Sequence, residues 1–249
     1  MCYNEKEVKS VTLFVVSDVH GHYSALHKAL TEAGFDRDNK EHMFLSCGDL
    51  FDRGNENLQV YEYVRSLPRK ILLKGNHEDI LSKVLIEGYI NENANRNGTC
   101  ITVSQLLGPQ SANAMGRLDK IAYREEIKEL LDFLDSMEDF YETPKYIFTH
   151  GWVPILLDGR MPVINPCWRQ TDAEGWRHAR WLEWQQLYAV DAVLKAKTIV
   201  CGHRPAWLGY KFDSTREPDC NAPFYGDGVI AIDANTVRSG TVNVLVVDV

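Results

Sequence analysis

Short apolar runs recur along the chain, and most are followed at once by glycine, aspartate, asparagine or histidine. Leu13 to Val16, Met43 to Leu45, Ile71 to Leu73, Tyr146 to Phe148 and Thr198 to Val200 are each short enough for a buried strand. Their polar tails read SDVHGH, SCGDLFDR, KGNHE, THG and CGHRP. Between these runs the period becomes helical. Tyr23, Leu26, Leu30 and Ala33 share one face that ends at Gly34, and Leu58, Tyr61, Val64 and Leu67 share another before Pro68. Strands alternating with helices predict an α/β fold. From Ile80 to Met137 the pattern predicts at least two more amphipathic helices, one of them from Ile121 to Met137, around an Asn-rich segment. That stretch reads as a helical insertion at about 80–140 in a single domain of residues 1–249. Pro and Trp accumulate from Tyr141 to Trp176, which predicts ordered irregular loops. The tail places hydrophobic residues in Val229 to Ile232 and Val242 to Val249, which predicts a terminal hairpin.

Composition narrows the classes. With 249 residues, 45% apolar and 25% charged, the chain can bury a full core, and disorder is excluded on that balance. Met1 to Ser10 carries no apolar signal-like core, and Val11 to Val16 is far too short to span a bilayer, so a soluble, cytoplasmic protein is expected. Cys2, Cys47, Cys100, Cys167, Cys201 and Cys220 form no C-x-x-C pair, and Cys47 and Cys201 sit in apolar runs as buried thiols. A net charge of -8 argues against a nucleic-acid-binding surface, which needs clustered Lys and Arg. Any phosphate must therefore be held locally, and metal ions can do that while the rest of the surface stays acidic.

The polar tails carry the chemistry, because ligands in open α/β folds bind beyond the carboxyl ends of the strands. Asp18 and His20, two apart on an extended backbone, point to the same side and can hold one ion. Carboxylate oxygen with imidazole nitrogen favours Mn, Fe or Zn over Ca or Mg, although D-x-H alone serves equally well as a strand-end cap. Asp49 leaves its strand where it could bridge two ions, with Asp52 three residues on, and the planar fork of Arg53 suits phosphate oxygens. Asn76 could offer its amide oxygen to a metal, or cap the following helix, while its neighbour His77 faces the substrate as a proton donor. Asp52 is a plausible partner for the other nitrogen of His77. His150 and His203 each end an apolar run beside a glycine, where a neutral imidazole can reach an ion.

In chain order, D-x-H-G at Asp18, G-D-x-x-D-R-G at Gly48, G-N-H-E at Gly75, H-G at His150 and G-H-x-P at Gly202 resemble the phosphoprotein phosphatase family of calcineurin-like metallophosphoesterases. Within it, the resemblance is to the small serine/threonine phosphatases of bacteria and phages. It runs from Asp18 to Pro205 and implies two packed mixed β-sheets flanked by helices. It also implies two divalent ions, most simply Mn with Fe or Zn as options: Asp18, His20 and Asp49 on the first, and Asp49, Asn76, His150 and His203 on the second. Asp52 and His77 become the acid pair and Arg53 the phosphate ligand. The resemblance also implies a second phosphate arginine between the last two histidine motifs. Arg169, Arg177, Arg180 and Arg204 compete, and position favours Arg180.

The implied reaction is hydrolysis of phosphate monoesters, most simply phosphoserine or phosphothreonine in proteins, by a hydroxide held between the ions. Dinucleoside tetraphosphate hydrolases of the symmetrical type share these motifs and give the alternative substrate. A metal-bound binding module without catalysis is the alternative of another class, but it should lack part of the ligand set or the acid. His27 and His42 read as surface or packing residues, and Asp233 as a turn residue. Trp168, Trp176, Trp181 and Trp184 read as core or as cleft lining.

Overall fold

In the strand Thr12–Val16 the side chains alternate between two cores, as the pleat requires. Leu13 and Val15 join one buried cluster with Leu45, Phe148, Val200 and Ile230, whereas Phe14 and Val16 join another with Leu26, Val60, Val64 and Leu81. The first cluster lies between two sheets and the second lies under helices. The computed structural model describes residues 11–249; the expectations for Met1 to Ser10 and Cys2 lie outside the described residues.

The order is β1 (Thr12–Val16), α1 (Tyr23–Glu32), β2 (His42–Ser46), α2 (Asn57–Ser66), β3 (Lys70–Leu72), then α3 (Asn76–Glu87), α4 (Glu92–Arg96), α5 (Thr99–Leu107) and α6 (Arg124–Asp135). It continues with β4 (Phe140–Glu142), β5 (Tyr146–Thr149), β6 (Ile155–Asp158), β7 (Met161–Ile164), α7 (Ala173–Ala179), α8 (Trp184–Ala189), β8 (Thr198–Cys201), β9 (Phe224–Gly226), β10 (Val229–Ala231), α9 (Thr236–Ser239) and β11 (Leu245–Asp248). One sheet has the order β11-β1-β2-β3 and the other β4-β5-β8-β10-β9. The inner pairs β1–β2, β2–β3, β5–β8 and β8–β10 are parallel, and β11, β4 and β9 add antiparallel edges. The protein is thus an α/β sandwich of mixed sheets flanked by helices. On the outer face of the second sheet, Ile147, Ile199 and Cys201 pack with Trp152, Trp168, Trp176 and Trp184. Truncating one of these fully buried indoles to alanine would cost about 3–5 kcal/mol.

Three expectations change. The two apolar runs near the C-terminus do not form a hairpin: Val229–Ala231 pairs with β8 and β9, whereas Leu245–Asp248 pairs antiparallel with β1 in the other sheet. Val229–Ala231 is buried on both faces, Leu245–Asp248 alternates buried and exposed, and α9 lies in the connection between them. In α2 the packed face is Asn57, Val60, Tyr61 and Val64, and Leu58 is exposed. Two residues turn a helix by about 200°, so Leu58 cannot share the face of Val60. The Pro-rich stretch contains a regular β6–β7 hairpin rather than loops alone. Its Pro162 is tolerated because β7 is an edge strand. Among the described residues, no helix is long and apolar enough to cross a membrane.

Candidate active site

The parallel strands all run in one sense, so their carboxyl ends deliver their tails to one place. Asp18 and His20 follow β1, Asp49, Asp52 and Arg53 follow β2, Asn76 and His77 follow β3, His150 follows β5 and His203 follows β8. Asp49 Oδ2 stands at the middle, 3.7 Å from His20 Nε2, 3.4 Å from His150 Nε2 and 3.9 Å from His77 Nε2. Asp18 Oδ1 lies 3.9 Å from His20 Nε2. Asn76 Oδ1 is 2.9 Å from both His150 Nε2 and His203 Nδ1. The candidate ligands fall into two overlapping groups that share Asp49, one with His20 and His77, the other with His150 and His203.

Backbone geometry holds these side chains in place. Of the eight non-glycine described residues with positive φ, six are Asp18, His20, Asp49, Asp52, Arg53 and His203, at 49° to 72°. Each such left-handed residue costs about 1 kcal/mol or more, and such strain concentrates at functional sites. Gly48 holds φ +93°, and a Cβ there would lie 2.6 Å from Gly75 N and 2.9 Å from His150 Nδ1. The imidazoles are oriented from behind: His20 Nδ1 donates to Phe51 O at 3.0 Å and His150 Nδ1 to Cys47 O at 2.8 Å, which turns each Nε2 toward the centre, where an ion would take the place of Arg53 on His20 and of the proton on His150. Asn76 is the first residue of α3 and the cap position is Gly75, so its side chain faces the histidines instead of capping the helix.

The acid pair is joined directly. His77 Nδ1 donates to Asp52 Oδ2 at 2.8 Å. Asp52 is fully buried, and its carboxylate also accepts from Thr99 Oγ1 at 2.8 Å and Thr102 Oγ1 at 2.6 Å. Arg53 donates through its two terminal nitrogens to His20 Nε2 and His77 Nε2, both at 2.9 Å. A phosphate oxygen could replace either imidazole as acceptor. Glu78, the last letter of G-N-H-E, ties the tails together by accepting from the backbone N–H groups of Asp49, Leu50 and Gly75 at 2.8–2.9 Å. Its third-residue position in a helix marks it as a capping glutamate, a signal present in the sequence. Thr99 and Thr102 carry no such signal.

Electrostatics bears on whether metal ions fit. Asp18, Asp49, Glu78 and Asp233 are each no more than 5% exposed. Burial and the Asp49 charge raise the carboxyl of Asp18, and the same two causes push Glu78 up to about 7. Burial also opposes ionisation of Asp49, but His150 and His77 outweigh it and hold that carboxyl well below the usual range. So many buried carboxylates need cationic compensation, and a mixed oxygen and nitrogen donor set suits Mn, Fe or Zn. Two divalent ions fit this site.

Burial lowers His150, yet Asp49, Asp18 and Glu78 more than reverse this and carry it up to about 9. Without metal, His150 therefore keeps a proton through neutrality, and a metal must displace it. The protonated form prevails below about 9, so metal affinity should fall by roughly tenfold per pH unit below that value from this group alone. Calorimetric titration with Mn in buffers of different ionisation enthalpy should count about one released proton at neutral pH. No proton release would contradict ligation by His150.

The second arginine differs from expectation. Arg180 is buried and directs its guanidinium to Asp79 at 3.0 Å and Asp139 at 2.5 Å, which neutralise it away from the cleft. Arg169 pairs with Glu142 and Arg177 with Glu174. The arginines that line the cleft, a cavity of about 500 Å³, are Arg53, Arg204 and Arg238. Of the four tryptophans, Trp168, Trp176 and Trp184 are core, and Trp181 lines the cleft at 47% exposure. Asp233 makes the expected turn, accepting from Asn235 N at 2.6 Å, but it also lines the cleft.

Residues 11–231 match the calcineurin-like phosphoesterase family. The chain belongs to that family. Within the chain, 88 residues are 32% identical to the symmetrical bis(5'-nucleosyl)-tetraphosphatase of Buchnera aphidicola subsp. Schizaphis graminum, covering 35% of this chain and 31% of that protein. A stretch of 66 residues is 39% identical to serine/threonine-protein phosphatase 2 of Salmonella typhimurium, covering 26% of this chain and 29% of that one. The match thus spans about a third of the length of these curated relatives. In fold, the chain resembles the crystal structure of a candidate diadenosine tetraphosphatase, with 14% identity, TM-score 0.55 and coverage of 98% and 94% of the two chains. It also resembles a cold-active protein-tyrosine phosphatase of a psychrophilic Shewanella, with 17% identity, TM-score 0.51 and coverage of 94% and 75%.

Proposed function

We propose that this phosphoesterase hydrolyses phosphate esters with two divalent ions, most simply Mn, held by Asp18, His20, Asp49, Asn76, His150 and His203. The observation that carries this reading is the position of Asp49 Oδ2, within 4 Å of three imidazole nitrogens contributed by three different strand ends. When bound, the ions supply Lewis acidity toward the phosphoryl oxygens and lower the pKa of water. The chain's own residues do the rest. Arg53 turns its fork from the two imidazoles to phosphate oxygens and neutralises charge as it develops. Asp52 holds the Nδ1–H of His77 and so fixes the ring with Nε2 toward the cleft. Burial disfavours the imidazolium, but Asp49 and the Asp52 hydrogen bond raise His77 above its ordinary value, which suits a donor to the leaving oxygen. Thr99 and Thr102 keep Asp52 in place. We read the described residues as one phosphoesterase domain, with the helices of about 80–140 as its cap.

Two substrates suit this centre: phosphoserine or phosphothreonine in proteins, and dinucleoside tetraphosphates. Similarity to the Salmonella phosphatase supports the first, and similarity to the Buchnera hydrolase the second. The expected result is p-nitrophenyl phosphate hydrolysis that a chelator abolishes and added Mn restores. A protein that binds Mn yet leaves this ester intact would be a binding module, and the catalytic reading would fall.

A further inference from the structure

The cleft continues past the metal-ligand candidates, and its outer wall comes mostly from residues outside the motifs. Trp181 follows α7, Arg204 and Trp207 follow β8, and Thr236 and Arg238 belong to α9. Among the described residues, two polar groups on this wall have no partner and a third has only a long ion pair. The hydroxyl of Thr236 is buried with no hydrogen-bond partner among the described residues. Arg204 Nε is likewise buried without a hydrogen bond, its nearest carboxylate oxygen being that of Glu183 at 3.5 Å. Arg238 is exposed, and its guanidinium makes no ion pair or hydrogen bond among the described residues. Unpaired donors of this kind are costly where buried, and a ligand that brings acceptors satisfies them. Glu183 and Asp233 also line the cleft, so an anion would sit on the arginine side of it.

Two flat rings accompany these donors. Trp181 meets the ring of His203 edge-on at 5.9 Å and 80°, next to the centre where the scissile phosphate would sit. Trp207 is backed by Tyr210, stacked at 5.9 Å and 15°, which makes it a fixed platform. The other tryptophans of this half of the molecule are buried in the core, so these two are the ones placed to meet a ligand.

We infer that Arg204, Thr236 and Arg238 form a second anion subsite flanked by the rings of Trp181 and Trp207, and that it selects nucleoside polyphosphates. Such a substrate carries a further phosphate linked to the scissile one and a base that stacks on an indole. A phosphoserine peptide offers neither at fixed distance from the reacting phosphorus. This inference rests on the phosphoesterase reading of the metal centre.

The test compares kcat/KM for diadenosine tetraphosphate with that for p-nitrophenyl phosphate, using the full chain loaded with Mn. In Arg238→Ala and in Trp207→Leu the ratio of the two should fall by about tenfold or more, chiefly through a raised KM for the dinucleotide. Ratios within about twofold of wild type in both variants would overturn the subsite. So would a wild type that hydrolyses p-nitrophenyl phosphate and a phosphoserine peptide but leaves the dinucleotide intact. A Mn-loaded wild type inactive on all three would instead overturn the phosphoesterase reading, and the subsite with it.

Discussion

Asp49→Ala is expected to bind fewer than two ions and to lose phosphate-ester hydrolysis by about a thousandfold or more. Asp49 Oδ2 is the one carboxylate oxygen common to both candidate ligand groups, so no other single change touches both. Loss of several kcal/mol of charge stabilisation converts to such a factor at about 1.4 kcal/mol per tenfold. The carboxylate has a second task, since its Oδ1 accepts from His77 N at 3.0 Å. Asp49→Asn keeps that acceptor and the shape of the side chain while removing the charge, and so separates a folding defect from lost ligation. Elemental analysis of both variants, with melting temperatures alongside, reads the result. Two ions per chain in Asp49→Ala would refute the shared ligand.

His77→Asn should retain both ions and yet lose turnover by about 10²–10⁴ on alkyl phosphates, whose leaving oxygen needs a proton. On p-nitrophenyl phosphate the loss should be much smaller, because p-nitrophenolate departs unprotonated. The substitution leaves the backbone bond to Asp49 intact and removes the ring that Asp52 orients. A plot of rate against leaving-group pKa should steepen in the variant. Parallel plots for variant and wild type would exclude His77 as the acid.

The sequence made the strand-end part of this site legible. Each tail begins where an apolar run stops, and the parallel pairing of those runs brings Asp18, Asp49, Asn76, His150 and His203 to one end of the sheets. Partners set by tertiary packing were not legible. Arg180 sits on the expected stretch of chain, but Asp79 and Asp139, about 100 and 41 residues away along it, claim its guanidinium. Thr99 and Thr102 look like ordinary helix residues until α5 is docked on Asp52. The two C-terminal runs are apolar enough for paired strands, yet nothing in them names the strand each must pair with, and each run found its own sheet.

The grip of α5 on Asp52 makes the block of helices after β3 more than a decoration of the sandwich. Two hydroxyls from that block complete the shell around the carboxylate that holds the His77 ring, so trimming or exchanging the block would strip two hydrogen bonds from a residue with no solvent to replace them. Any shortened version of this chain would have to supply substitute donors to Asp52 before it could spare the helices, which ties the packing of α5 to the geometry of the His77 ring.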